Sequence, residues 1–402
     1  MGTDSTIRHS LVNLLLGSED RAAAACHHSD WLPIVLLAEA WHVLPQLDAC
    51  ISSRHVTLDP DSRHALRKKS SLAFMRSMLV ARRGLEALQL LERNGVQAAA
   101  FKGLASMATL YPNPALRTIQ DADVLIPEPQ LAAAIAVVSQ LGLHPDLPDD
   151  LDAYLDFVAN SPGFRGNQAI SMRGENQGEL DLHWRLGFAS ASELDPSRVT
   201  GRAQRVSFLG SAMRVVHPSD ALLLTTCHSL RNNFAPAFIC RDLLDFSFCA
   251  GLLTGTGELR SALNRARESG LFIPLSAMCR IRARFDASYM RHASVVEIES
   301  QSTDKERTAA AALAHLFDSQ LTRGTLNKDV VYLIQRSPIK QIAAGLTKDW
   351  HRYRKFMGAL EVKAEGTPAS LPKRLTELVR GAMRLRPADL RSLRALASTK
   401  HL

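Results

Sequence analysis

The chain has 402 residues, 46% apolar and 22% charged, proportions that fit a soluble globular protein with room for two or three domains. No apolar run approaches the about 20 residues needed to cross a bilayer, so no membrane-spanning helix is expected. The formal charge of +8 is uneven: residues 340–402 hold 14 Lys/Arg against 5 Asp/Glu, a net of +9, so residues 1–339 stand near neutrality at −1.

The N-terminus, "MGTDSTIRHSLVNLLLGSED", carries an early acid and only a short apolar patch, so it does not read as a signal peptide. It does fit the short pattern M-G-x-x-x-[ST] of N-myristoylation. The expected location is the cytoplasm. From residue 7 to about 94 the apolar spacing is helical, as in "DWLPIVLLAEAWHVLPQL" and "LAFMRSMLVARRGLEALQLLERNG", the second ending on the Asn94-Gly95 stop signal. "VQAAAFKG" (96–103) reads as a short buried strand running into a turn. "LASMATLYPNP" reads as a short helix stopped by Pro112 and Pro114. The strand "RTIQDADVLIP" follows, then the helix "EPQLAAAIAVVSQLGL". Beyond an acidic loop at 145–152, "NQAISMRG" and "GELDLHWRLGF" form a predicted hairpin across "ENQ". Residues from about 218 to 330 are helical again, starting at a cap of Ser219-Asp220. The tail has two helical pieces separated by "KAEGTPASLP", a flexible linker.

The expected fold is α+β, a small mixed-sheet core flanked by helical regions. The expected divisions are a helical N-terminal region (1–95), an α/β core (96–215), a helical domain (216–335) and a basic helical tail (336–402). Six cysteines, at 26, 50, 227, 240, 249 and 279, are scattered through apolar segments with no C-x-x-C pair, so buried free thiols are favoured over a zinc site or disulfide framework.

The chemistry concentrates at Asp121 and Asp123. One alternating step along a strand puts both carboxylates on one face, about 6–7 Å apart at the backbone. Two such anions repel unless a cation, a turn or a divalent metal lies between them. In "ELDLHWRL", Asp181 and His183 share one face of a strand, with Leu180, Leu182 and Trp184 on the other. If that strand pairs beside 118–126, three carboxylates converge, a donor set natural for Mg²⁺. Lys102-Gly103 sits where a strand turns into a helix, a place where backbone N–H groups approach phosphate. Arg117 suits bidentate phosphate contact.

Plainer readings stand beside these. D-x-D is equally a solvated turn or an Arg-paired cluster, Lys102 an ordinary strand-end lysine, and His183 a hydrogen-bonding group within the sheet. Trp184 reads as core. His228, Arg231 and Asn232 share a helical face that is either a pocket wall or solvated. Arg241 and Asp242 read as an intrahelix pair. Trp350, Tyr353 and Phe356 among the basic residues of the tail form a surface for an acidic peptide or nucleic acid, or only a solvated face.

The order strand–"KG"–helix–"DADVLI"–helix–hairpin–"LDLHW" resembles the DNA polymerase β-type nucleotidyltransferase superfamily. More narrowly it is similar to a bacterial branch known as nucleotidyltransferase family proteins, some encoded beside lasso-peptide biosynthesis genes. The resemblance spans about residues 30–250. It implies that Asp121, Asp123 and Asp181 ligate Mg²⁺, two ions in all, with Asp181 helping to activate the acceptor hydroxyl. It also implies that Gly103, with Lys102 beside it, holds the triphosphate of an NTP, and that His228 and Asp242 line the nucleotide pocket; Arg117 and His183 are candidates for nucleotide contact on their own chemistry. The superfamily carries Gly-Gly or Gly-Ser at the turn where this chain has Lys102-Gly103. The implied activity is Mg²⁺-dependent transfer of a nucleotidyl or phosphoryl group to a hydroxyl of a peptide, such as a lasso peptide, or of a small molecule. The alternatives are a catalytically silent nucleotide- or peptide-binding module and a nucleic-acid-modifying enzyme.

Overall fold

Apolar residues at helical spacing bury one face of each early helix: α1 (Ser5–Leu16), α2 (Glu19–Ala24), α3 (Leu32–Ala40), α4 (Leu44–Ser53) and the long α5 (Pro60–Arg93). The computed structural model describes residues 5–25, 31–146, 151–152, 154–155, 169–174, 177–186, 194–232 and 234–323. The expectations for residues 1–4, for Cys26 and for the basic tail, with Trp350, Tyr353 and Phe356, fall outside them. α5 starts on a side-chain cap, where Asp59 accepts from the Ser62 N–H at 2.8 Å, with Pro60 at the first helical position. It ends at Asn94, and Gly95 follows with φ of +73°, as the sequence signal requires.

Among the described residues seven strands form one mixed sheet: β1 (Ala99–Ala100), β2 (Asp121–Leu125), β3 (His144–Pro145), β4 (Ala169–Gly174), β5 (Gln177–His183), β6 (Gln204–Phe208) and β7 (Ser211–Val215), in the order β3-β4-β5-β2-β1-β7-β6. The α+β architecture expected from the sequence is the one observed. β4 and β5 pair antiparallel, as the predicted hairpin requires. The strand expected over 96–103 narrows to two residues, because the chain turns at Lys102 into α6 (Lys102–Thr109). The strand expected over 117–127 begins only at Asp121, after a single 3-10 turn over Pro114–Leu116. α7 (Leu131–Ser139) follows β2, and α8 (Pro196–Gly201) precedes the β6–β7 hairpin.

β2 and β5 lie side by side and parallel, with Asp123 opposite Asp181 and Leu125 opposite His183. Residues in such register share a face. The opposite face is apolar: Ala122, Val124, Leu180 and Leu182 are fully buried. Helix α5 closes on it at Gly84, where an added Cβ would stand 2.7 Å from the Ala122 Cβ and 2.7 Å from Leu104. Ala122 thus faces the helix, and its neighbours Asp121 and Asp123 point away from it. Ser77 of α5 secures the approach to β2, accepting from the Ile119 N–H at 3.0 Å and donating to the Ile119 carbonyl at 3.2 Å.

α9 (Pro218–Arg231) and α10 (Pro236–Leu253) come next, followed by helices over Glu258–Glu268, Phe272–Phe285, Ala293–Ser300 and Asp304–Arg323. The cap of α9 is His217, whose Nδ1 accepts from the Ser219 N–H, not Ser219-Asp220 as the sequence suggested. Asp220 is instead fully buried between Arg202 and Arg265, at 2.8 and 2.5 Å. Cys227, Cys240, Cys249 and Cys279 are buried free thiols, and Cys50 is a partly buried one. Among the described residues no helix is long and apolar enough to cross a membrane.

Candidate functional site

The carboxylate face of β2 and β5 carries the polar residues picked out in the sequence. Asp123 is buried, and two donors converge on its Oδ1: Lys102 Nζ at 2.6 Å and His183 Nε2 at 2.8 Å. Burial alone would raise the Asp123 pKa. Lys102 and the His183 hydrogen bond outweigh it and hold the carboxyl well below the usual range. His183 is pushed the other way, chiefly by burial and then by the nearby Lys102 charge, so the neutral imidazole is favoured. Phe101 meets the imidazole edge-on, ring centres 4.8 Å apart, and fixes its orientation. Asp181 accepts a hydrogen bond from Ser171 on β4 at 2.7 Å.

Asp121 is partly buried, one step toward the strand start. Burial first, then the repulsion of Asp123 and Asp181, push its pKa up from 3.8 to about 6. The two like charges are therefore tolerated unequally: Asp123 is neutralised by Lys102 and His183, and Asp121 is left as the strained member.

Lys102 reaches Asp123 from the first residue of α6, in a left-handed backbone conformation (φ +48°) that a side chain rarely adopts. Such strain clusters at functional sites. Gly103 follows it for a steric reason: a Cβ there would stand 2.5 Å from Ile119 Cγ2.

The metal question rests on the donor set. Ligand atoms of Asp123, Asp181 and His183 all lie within 4.8 Å of one another, and two carboxylates with an imidazole suit a divalent cation. The residues fit the group, with Lys102 supplying the positive charge that Asp123 otherwise lacks. The sequence reading had Asp121, Asp123 and Asp181 as the metal ligands. In the cluster that the fold gathers, His183 stands where Asp121 was expected.

Other candidates take different positions. Arg117 is buried, and its guanidinium clasps Asp245 of α10, Nε at 3.1 Å from both carboxylate oxygens and Nη2 at 2.8 Å from Oδ2, while Nη1 donates to the Thr118 carbonyl at 2.6 Å. Asp245 raises the Arg117 pKa further, outweighing the effect of burial. With its donors committed, Arg117 braces the turn behind Gly103, and the expected bidentate hold on a triphosphate does not fit this arrangement. Ser106 and Tyr111 donate to the same Asp245 at 3.1 and 2.8 Å, tying α6 to α10. Asp242 pairs with His228 Nδ1 at 2.8 Å and accepts from Ser229 at 2.7 Å, so Arg241 is not its partner as the adjacent positions suggested. Burial would raise the Asp242 pKa, but His228 outweighs it and holds the carboxyl low. Asn232 completes that group, 3.0 Å from His228 Nε2. Trp184 is core, fully buried.

Sequence reasoning missed Asp245, Ser171 and Tyr111. Only the D-x-x-D spacing of Asp242 and Asp245, on one helix, hinted at the first.

The protein-family model described as uncharacterised nucleotidyltransferase matches residues 27–286, well over half of the chain. The chain belongs to that nucleotidyltransferase family. The match runs from before α3 to the end of the helix over Phe272–Phe285, so it takes in the whole sheet and helix α10, which carries both Asp242 and Asp245. No curated protein matches the chain. The carboxylate–imidazole cluster on β2 and β5 fits nucleotidyl transfer in general terms, since a triphosphate needs clustered carboxylates and a cation to hold it.

Proposed function

We propose that this nucleotidyltransferase moves a nucleotidyl group from a nucleoside triphosphate to an acceptor hydroxyl, with Mg²⁺ as the divalent ion. The observation that carries the reading is the register of β2 and β5, which sets Asp123 beside Asp181 with His183 and Lys102 against them. Phosphoryl transfer is the variant in which the acceptor attacks the γ-phosphorus, and the same side chains serve it.

Asp123 and Asp181 would hold the ion through their carboxylate oxygens, with Asp121 and His183 beside them. When bound, Mg²⁺ supplies Lewis-acid polarisation of the phosphate oxygens and offsets charge that develops on them. Lys102, 2.6 Å from Asp123, would serve the phosphates beside the ion, together with the turn at Gly103. Asp181, which accepts a hydrogen bond from Ser171, would take the proton of the acceptor hydroxyl. His228 and Asp242, hydrogen-bonded at 2.8 Å, would line the nucleotide side of the site. Arg117 acts from behind, keeping α6 and α10 in register. Rate enhancement then comes from positioning and fixed charge rather than covalent chemistry.

The acceptor is a hydroxyl of a peptide or small molecule. The family resemblance supports trying a lasso peptide first. The basic residues 340–402 make an acidic partner the natural guest of the tail. The test is incubation of purified protein with Mg²⁺, α- or γ-labelled ATP and candidate peptides, followed by intact mass. Added mass of a nucleoside monophosphate supports nucleotidyl transfer, and added phosphate selects the phosphoryl variant. Asp123→Asn should abolish either. Full turnover by that variant would refute the site assignment.

A further inference from the structure

Arg241 stands near three acids, yet none of them accepts a hydrogen bond from it. On α10 the carboxylates available at i+1 and i+4 are Asp242 and Asp245. Asp242 is already taken by His228 and Ser229, and Asp245 by Arg117, Tyr111 and Ser106. Arg241 is partly buried, its Nε is buried without a hydrogen-bond partner, and among the described residues it forms no ion pair. A guanidinium presents five N–H donors and cannot shed its charge, so an unmatched one inside a protein is costly unless an anion comes to it. Its environment includes a second cation, Arg117, which makes the charge less welcome still. The remaining carboxylate that feels Arg241 is Asp121, at the edge of the proposed metal site. Arg241 therefore lies near enough to the carboxylate cluster to act on Asp121, with its Nε donor unspent.

We propose that Arg241 is a phosphate-binding residue, donating its guanidinium N–H groups to non-bridging oxygens of the polyphosphate of the donor nucleotide. The inference rests on the reading of the β2–β5 site as a nucleotide site, and it assigns to Arg241 the bidentate role that Arg117, clasped to Asp245, does not fill. Planar two-pronged contact to phosphate is what a guanidinium offers and an ammonium does not.

The test is calorimetric binding of inorganic tripolyphosphate and of ATP, each with Mg²⁺, to the full-length wild type and to Arg241→Gln, Arg241→Lys and Asp123→Asn. Melting temperatures are recorded in parallel without ligand. Arg241→Gln should weaken both ligands about tenfold or more. Arg241→Lys should recover only part of the loss. The melting temperature of Arg241→Gln should stay level or rise, because an unmatched charge is being removed. Undiminished binding by Arg241→Gln, with binding lost in Asp123→Asn, overturns the role of Arg241 and leaves the nucleotide site standing. A clear fall in melting temperature with Arg241→Gln makes the residue structural and also overturns the proposal. If the wild type binds neither ligand, the nucleotide site falls and Arg241 with it.

Discussion

Asp121 and Asp123 are one residue apart, yet their removal should move stability in opposite directions. In the folded protein Asp121 keeps its proton up to about 6, whereas its ordinary value is 3.8. The folded state therefore binds more protons than the unfolded chain between those values. Whatever stability this group contributes is full below about 3.8 and is lost as pH rises through about 6. At pH 7.5 the ionised carboxylate opposes folding by about 3 kcal/mol, taking about 1.4 kcal/mol per pH unit. Asp121→Asn, of nearly the same shape, should remove most of that. The assay is urea denaturation in EDTA at pH 7.5, repeated toward pH 4, where the gain should fade. Asp123 has the reverse sign: its folded pKa is held low, so its contribution is present above the ordinary value and lost as pH falls through the folded one. Asp123→Asn strands Lys102 and weakens the bond to His183, and should cost about 3 kcal/mol at pH 7.5. If Asp121→Asn is no more stable than wild type at pH 7.5, or if both variants shift the same way, the assignment of one neutralised and one strained carboxylate is refuted.

Arg117→Ala should destabilise the fold by about 3–5 kcal/mol, read by the same urea titration, because Asp245 would be left buried and unpaired. A mild loss of stability with a large loss of ATP binding would return Arg117 to the phosphates. Gly103→Ala should displace the Lys102 turn, since its Cβ would stand 2.5 Å from Ile119, and should cost about 1–3 kcal/mol in the same titration. Deleting residues 340–402 should flatten the salt dependence of any binding to acidic polymers while leaving Mg²⁺–ATP binding unchanged. An unchanged salt slope would exclude the tail as the acidic-partner surface.

The parts legible in the sequence are those written in local pattern. Alternation in "DADVL" and "ELDLHW" fixed which side chains share a face, and the fold placed the two strands side by side in matching register. The Asn94-Gly95 stop and the "ENQ" hairpin were equally local. The β6–β7 hairpin escaped because its two-residue turn is Leu209-Gly210, both at positive φ, and Leu209 is not a residue that announces such a turn. β3 is only two residues long, too short for any periodicity to register. The clasp of Arg117 on Asp245 joins positions 128 apart, and no spacing rule connects them. Arg241 was obscured by its neighbour: beside Asp242 it looks paired, and only the structure shows Asp242 taken by His228.

The central claim, that the β2–β5 carboxylates form a metal-dependent nucleotide site, is tested most directly by calorimetric titration of ATP, which needs no knowledge of the acceptor. Wild-type protein should bind ATP in the presence of Mg²⁺, lose that binding in EDTA, and lose it equally in Asp123→Asn. ATP binding that persists unchanged in EDTA and in Asp123→Asn, or no binding by the wild type under any condition, would contradict the account.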